Sequence, residues 1–254
     1  MVEYLAGKRI RGTSSERIGA DMTETFDDAA PWTQTGTLVA VDAADSNKLE
    51  FLNANNGTDR RVEKALAATL NDSLWIADFI YRFSAGTAPS HAILAFSSDI
   101  GNPNSVSADA IYVFHNSDVS NELQISHKDG QTGFGTVGGY IPISVNTTYY
   151  VRLQRTSSTN IRLSIFSDSS RLTHVPSSPI NVTIASTISA LDVVGAYCNG
   201  VGSPTRHLTA YVDTLNIYNN QATISSNFQD GTVFEETDTN ESYVLTSGSW
   251  LQIT

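Results

Sequence analysis

The sequence predicts an all-β chain folded as an antiparallel sandwich or barrel, and three observations predict it. Residues 148–168 read as two alternating runs around a polar turn, Ser157-Ser158-Thr159-Asn160. Tyr149, Val151 and Leu153 fall on one face against Tyr150, Arg152 and Gln154, and Ile161, Leu163 and Ile165 repeat the period against Arg162 and Ser164. This is the pattern of a hairpin that covers a core on one side only. Short alternating runs of the same kind recur along the chain, and Gly, Asn, Asp or Pro clusters separate them, residues that accept turn geometry at little steric cost.

Taken in order, strands are expected at residues 25–27, 37–41 and 48–52. Residues 60–66 are assigned to a further strand although Lys64 to Leu70 has helical propensity. The longest candidate is 74–83, with Trp75, Ala77, Phe79, Tyr81 and Phe83 on one face, an aromatic stripe of period 2 that reads as core. Residues 91–97, 110–115, 122–128, 191–199 and 207–218 add five more. The glycine-rich run from Gly130 to Tyr140 lacks the Lys and the following helix of a phosphate loop and is expected to be a mobile rim loop. A last unit at 228–254 holds two or three short strands, too few to bury a core of their own, so it must pack on the main domain or on another subunit. The organisation is an N-terminal arm (1–22), one main β domain (23–220) and a C-terminal β-hairpin assembly segment (221–254).

Composition narrows function. At 254 residues and 40% hydrophobic content the chain can bury one substantial core. The net charge is −11, so the basic footprint of a nucleic-acid binder is missing, and the scattered acids read as a solvated surface. The first twenty residues run against this trend, with Lys8, Arg9, Arg11 and Arg17 against Glu3 and Glu16, an arm that is disordered alone or docked on something acidic. The single cysteine, Cys198, reads as a small core residue. No apolar run reaches the ~18 residues of a membrane span or forms a signal-peptide core, so an extracellular role implies a signal already removed or another route, assembly into a virus particle among them. Five Asn-x-Ser/Thr sequons, at Asn56, Asn71, Asn146, Asn181 and Asn240, argue only weakly for a glycosylated exterior in a chain this rich in Asn, Ser and Thr.

The order of the pieces resembles the concanavalin A-like jelly roll, especially its laminin-G-type branch. A central strand like 74–83 is followed much later by a hairpin like 149–166, and the sheet closes with a strand carrying an Asp-bearing motif like Tyr211-Val212-Asp213-Thr214-Leu215-Asn216-Ile217-Tyr218. The run from Gly7 to Arg17, and Phe234-Glu235-Glu236-Thr237-Asp238 with Tyr243 and Trp250 downstream, resemble segments of viral (archaeal virus or phage-like) surface, fibre or capsid-associated proteins. The resemblance implies a non-enzymatic structural or adhesion protein of a virion or extracellular surface that self-assembles through its ends, Lys8, Arg9, Arg11, Phe234, Tyr243 and Trp250 being the assembly residues. Its partners would be other copies, other virion or surface proteins, or a glycan. The alternative is a carbohydrate-binding, lectin-like module, with or without calcium, and a glycanase on the same fold comes third.

Three sites follow. Glu236-Thr237-Asp238-Thr239-Asn240-Glu241 is similar to the carboxylate string of glycanases on this fold, whose acids stand about 5–5.5 Å apart for retaining hydrolysis. Here polar residues intervene and the string follows the jelly roll, so it reads as a turn. Laminin-G-type domains often hold calcium at a rim loop, and residues 97–109 offer hard oxygen ligands, with Asp99, Asn102 and Asp109 as the expected set. Sugar binding needs aromatic faces beside polar groups at a loop edge, which Trp32, Tyr140 and Tyr197 would supply. The five histidines, His91, His115, His127, His174 and His207, show no zinc spacing.

Overall fold

The computed structural model describes residues 3–4, 9–12, 22–42, 46–55, 60–87, 90–99, 101, 106–116, 121–131, 136–198, 207–220, 232–236, 239–246 and 249–253. Every regular element among them is a strand. In chain order these are β1 (Glu3–Tyr4), β2 (Arg9–Gly12), β3 (Met22–Glu24), β4 (Thr33–Thr35), β5 (Val39–Asp42), β6 (Lys48–Asn55) and β7 (Arg61–Ala65). There follow β8 (Trp75–Thr87), β9 (Ser90–Ser97), β10 (Ala110–Asn116), β11 (Glu122–Lys128), β12 (Thr136–Pro142), β13 (Thr148–Ser157) and β14 (Asn160–Phe166). The chain closes with β15 (Ile180–Thr183), β16 (Val193–Cys198), β17 (His207–Asn219), β18 (Val233–Glu236), β19 (Ser242–Thr246) and β20 (Ser249–Ile253).

Two antiparallel sheets form the sandwich. One has the order β15-β14-β13-β8-β17-β6-β5 with β3 added beside β17, the other β12-β11-β10-β9-β16-β7-β4. The hairpin β13–β14 turns at Ser158-Thr159 with Ser157 opposite Asn160, and Tyr149, Val151, Leu153, Ile161, Leu163 and Ile165 are all buried, as alternation predicts. The stripe Trp75, Ala77, Phe79, Tyr81 and Phe83 on β8 likewise enters the core. Trp75 meets Phe96 of the facing sheet with ring centroids 5.1 Å apart. Cys198 is buried in the same core, where loss of water pushes its thiol pKa up to about 12.

Sequence reasoning and structure part at β12. A strand runs from Thr136 to Pro142 within what alternation read as a loop. Gly138 and Gly139 hid the period, and Gly138 is needed there because a Cβ would stand 2.3 Å from Val182 Cγ2 of β15. Strand β7 ends at Ala65, so the helical propensity from Lys64 onward is overridden by pairing with β16.

The two ends of the chain meet in a third sheet, β1-β2-β18-β19-β20. Strand β2 runs parallel to β18, with Arg9 opposite Val233 and Arg11 opposite Glu235. The C-terminal unit, expected to pack on the main domain or on another subunit, thus takes β2 and β1 of the N-terminal arm into its sheet, a pairing the sequence reading did not include. Phe234 is fully buried and Tyr243 stands opposite it on β19. Trp250 pairs with Leu245, and Lys8 lies outside the described residues.

A polar bridge crosses the main core. His115 Nδ1 lies 2.5 Å from the Tyr81 hydroxyl and its Nε2 3.3 Å from Asn121 Oδ1, while Phe83 packs edge-on against its ring and His91 is its cross-strand neighbour. Burial is the largest influence and lowers the His115 pKa from 6.5 to about 3, with the Asn121 bond opposing and His91 adding to the fall. The unfolded chain therefore takes up a proton as pH drops through 6.5, which the folded chain refuses until about 3. Stability from this group is fully present above the unfolded value and is expected to fall by up to about 1.4 kcal/mol per pH unit across that window. Urea melts at stepped pH should show this acid limb, and His115→Phe should flatten it.

Candidate ligand groove on the eight-stranded sheet

Outward-facing positions of the three central strands β6, β17 and β8 line a groove of about 230 Å³, bounded by Glu50, Leu52, Arg82, Ser84, Thr209 and Tyr211, with Phe51 and Ala210 beneath. Register builds it. Tyr211 pairs with Glu50 on one side and Arg82 on the other, so the three stand in one row with the tyrosine in the middle. At about 4.8 Å per strand the outer two are about 10 Å apart. A bulge at Thr209-Ala210 shifts β17 against both neighbours at the end of this row, the kind of irregularity that re-aims side chains in a regular sheet.

The groove's polar groups are held ready and little used. Lys48 Nζ sits 4.4 Å from the centroid of the Tyr211 ring. Ser84 Oγ reaches the Thr209 carbonyl only at 3.5 Å. Arg82 and Glu50 are half-buried and make no ion pair or side-chain hydrogen bond among the described residues. Farther along the same face the opposite holds. Asp78, 1% exposed, accepts Arg152 Nε and Nη2 at 2.8 and 2.9 Å and lies 3.4 Å from Arg171 Nε, so that cluster is structural.

The three aromatic residues expected to bind sugar are not brought together. Trp32 packs in the core against Phe26, ring centroids 5.7 Å apart. Tyr197 is buried on the outer face of the seven-stranded sheet, its hydroxyl 3.2 Å from Glu63 Oε2, and burial first and Glu63 second hold its pKa well above the usual value. Its ring leans over Gly195, where a Cβ would stand 2.8 Å from the Tyr197 hydroxyl. Tyr140 is 59% exposed and belongs to the same sheet, at its β12 edge opposite Gln124. Between them Ala92, Ala95, Ala110, Tyr112 and Phe114 form, with Tyr197, a second buried cluster.

In the rim loop, Asp109 accepts Gly130 N at 2.8 Å and Ser189 N at 2.9 Å, one on each carboxylate oxygen. The buried Lys128 donates to Val106 O at 2.9 Å. Burial lowers the Lys128 pKa, and nearby Asp109 and Asp99 oppose that fall. Asn102 lies outside the described residues, and among the described residues no three His, Cys, Asp or Glu side chains converge on a metal position. The string at 236–241 spans the β18–β19 turn, where Thr239 donates to Glu236 and Tyr243 donates to Glu241. Glu236 is buried, which the reading of a solvated turn did not foresee, and Asp238 lies outside the described residues.

The sequence matches no protein-family model and no curated protein. Solved structures do match. The lumenal domain of VIP36 in its Ca²⁺/Man3GlcNAc-bound form superposes with a TM-score of 0.54 at 6% identity, covering 84% of this chain and 92% of that one. Lectin II from Ulex europaeus gives 0.51 at 13% identity, covering 80% and 100%. The CBM2 module of the evolved Dit of Lactobacillus casei BL23 phage J-1 gives 0.50 at 9% identity, covering 81% and 97%. The fold is the concanavalin A-like jelly roll. At such identities the likeness concerns fold alone, and the jelly roll's ligand positions have to be read from its own side chains.

The groove residues were legible in principle. Tyr81 and Phe83 face the core, so Arg82 must face out, and the alternation of β17 puts Tyr211 out as well; register, which placed them in one row, was not legible. Because the groove's charges support nothing else, Arg82→Gln is expected to change unfolding free energy by no more than about 0.5 kcal/mol. Asp78→Ala, which strands two partly buried guanidiniums, should cost about 3 kcal/mol. Denaturant titration of the two variants checks the contrast.

Proposed function

We propose that the protein is a non-enzymatic, lectin-like glycan-binding module of a virion or extracellular surface, and that saccharide lies across Tyr211 in the groove on the eight-stranded sheet. The observation that carries this reading is the row Glu50–Tyr211–Arg82, an aromatic side chain flanked by two unengaged charged groups with Ser84 and Thr209 hydroxyls beside it. Protein sites that hold small polar ligands combine an apolar surface with a few convergent polar groups in this way. The VIP36 domain carries Man3GlcNAc on the same fold, and a phage Dit carries a module of this fold, which supports both the ligand class and the setting. No membrane-spanning helix is found among the described residues.

The terminal sheet has a different task. Strands from both ends of the chain form it, which supports reading it as the mount through which the jelly roll joins other copies or neighbouring surface proteins. No catalysis is assigned to Glu236 and Glu241, which accept hydrogen bonds from the Thr239 and Tyr243 hydroxyls in the β18–β19 turn. The groove offers cations, hydroxyls and one carboxylate, so its affinity is expected to be equal in calcium and in chelator.

A glycan array followed by calorimetry on the best ligand tests the proposal. Tyr211→Ala should weaken binding at least tenfold, which is about 1.4 kcal/mol, with an unchanged melting temperature. Truncation of residues 1–20 and 228–254 should leave affinity intact, and no ligand should release reducing sugar on prolonged incubation. Binding that survives Tyr211→Ala but is lost in Tyr140→Ala would move the site to the other sheet.

A further inference from the structure

The groove's charge specifies the kind of saccharide. This inference rests on the glycan-binding reading and names its ligand class. In a chain of net charge −11 the groove itself is not acidic: within its lining Arg82 stands against Glu50, and Lys48, over the Tyr211 ring, has Asp42 as its cross-strand neighbour. Along the whole outer face of this sheet, Lys48, Arg82, Arg152 and Arg162 balance Asp42, Glu50, Asp78 and Asp213, so an anion approaching it escapes the repulsion that the rest of the protein exerts.

Arg82 decides the matter. A half-buried guanidinium gives up water on several of its donors, and proteins ordinarily return those hydrogen bonds through a carboxylate or a carbonyl. Two rows along the same strand, Asp78 receives Arg152 in two parallel bonds and Arg171 besides. Arg82 has no such partner among the described residues, and Glu50 is held away from it by the intervening Tyr211 strand. Its planar fork suits a carboxylate, which it can hold bidentately. Lys48, fixed over the Tyr211 ring, adds a second positive charge beside the place where a sugar ring would stack. Glu50 and the hydroxyls of Ser84 and Thr209 are acceptors and donors suited to ring hydroxyls.

We infer that the groove recognises an acidic polysaccharide, with a uronate carboxylate on Arg82, a sugar ring against Tyr211 and ring hydroxyls on Glu50, Ser84 and Thr209. Electrostatic attraction alone does not produce this preference, since the protein as a whole repels polyanions.

The full chain is tested by affinity electrophoresis and calorimetry against polygalacturonate, alginate and hyaluronate, each beside its carboxyl-reduced, neutral counterpart. The expected result is at least tenfold tighter binding to one acidic polymer than to its reduced form. Arg82→Gln should bring the affinities for the acidic and the reduced polymer to within a factor of about two of each other, Arg82→Lys should restore only part of the preference, and Tyr211→Ala should abolish binding to both forms. Equal affinity for acidic and reduced polymers overturns the inference, as does a preference that Arg82→Gln leaves in place, or no binding to any of the three acids. If neutral glycans bind through Tyr211 while all three uronates fail, the acidic ligand falls and the glycan-binding function stands. If Tyr211→Ala alters no binding at all, both fall.

Discussion

Everything in the jelly roll depends on the pairing of β8 with β17. Each strand is thirteen residues long, and their register runs from His207 opposite Thr87 to Asn219 opposite Trp75. More than a hundred residues separate them, so the loop-closure entropy of most of the chain is spent before this ladder forms, and the buried apolar surface has to offset it. Trp75, Ala77, Phe79, Tyr81 and Phe83 supply that surface from one strand and Leu208, Ala210, Val212, Leu215 and Ile217 from the other. The same ladder sets Arg82 against Tyr211. Fold and site therefore share one register, and a one-residue slip would turn the groove's polar groups into the core.

Bulges reconcile the long ladder with the twist of its neighbours. Strand β17 is paired on one side by β8 along its length, and on the other by β6 up to Val212 and by β3 from Leu215. Its register shifts between Asp213 and Asn216, where Thr214 takes a φ of 47°. The second shift, at Thr209-Ala210, lies at the groove. One irregularity thus permits the change of partner strand and the other coincides with the opening in an otherwise regular surface.

The sequence made the sandwich legible wherever one face is buried and the other wet, because alternation then marks both. It supplied β8 and the β13–β14 hairpin with their core faces, and β17 as a strand. It failed where alternation is absent for a physical reason. Strand β12 carries two adjacent glycines, Gly138 being required by Val182, and β16 buries both of its faces, so Tyr197 reads as a rim residue when it is a buried one. Trp32 failed differently, its flanking Pro and Thr suggesting a loop edge while its ring caps the core beside Phe26. The joining of the two termini was beyond reach, since a parallel pairing of β2 with β18 leaves no trace in either segment alone.

The groove and the Asp78 cluster show how one strand separates holding from binding. Positions 78 and 82 both face outward on β8, yet Asp78 is locked by two arginines and Arg82 has no ion pair or side-chain hydrogen bond among the described residues. A side chain in the ladder's outer face is constrained neither by sheet-on-sheet packing nor by main-chain hydrogen bonds, so its partner is set only by what its cross-strand neighbours offer. Next to Asp78 the neighbour is Arg152, and the charges cancel within the protein. Next to Arg82 the neighbours are Thr148 and Tyr211, which cannot cancel a charge. The residual field is left to whatever enters the groove. Substitutions there alter ligand choice at little cost to a core whose stability is fixed on the opposite face of the same strands.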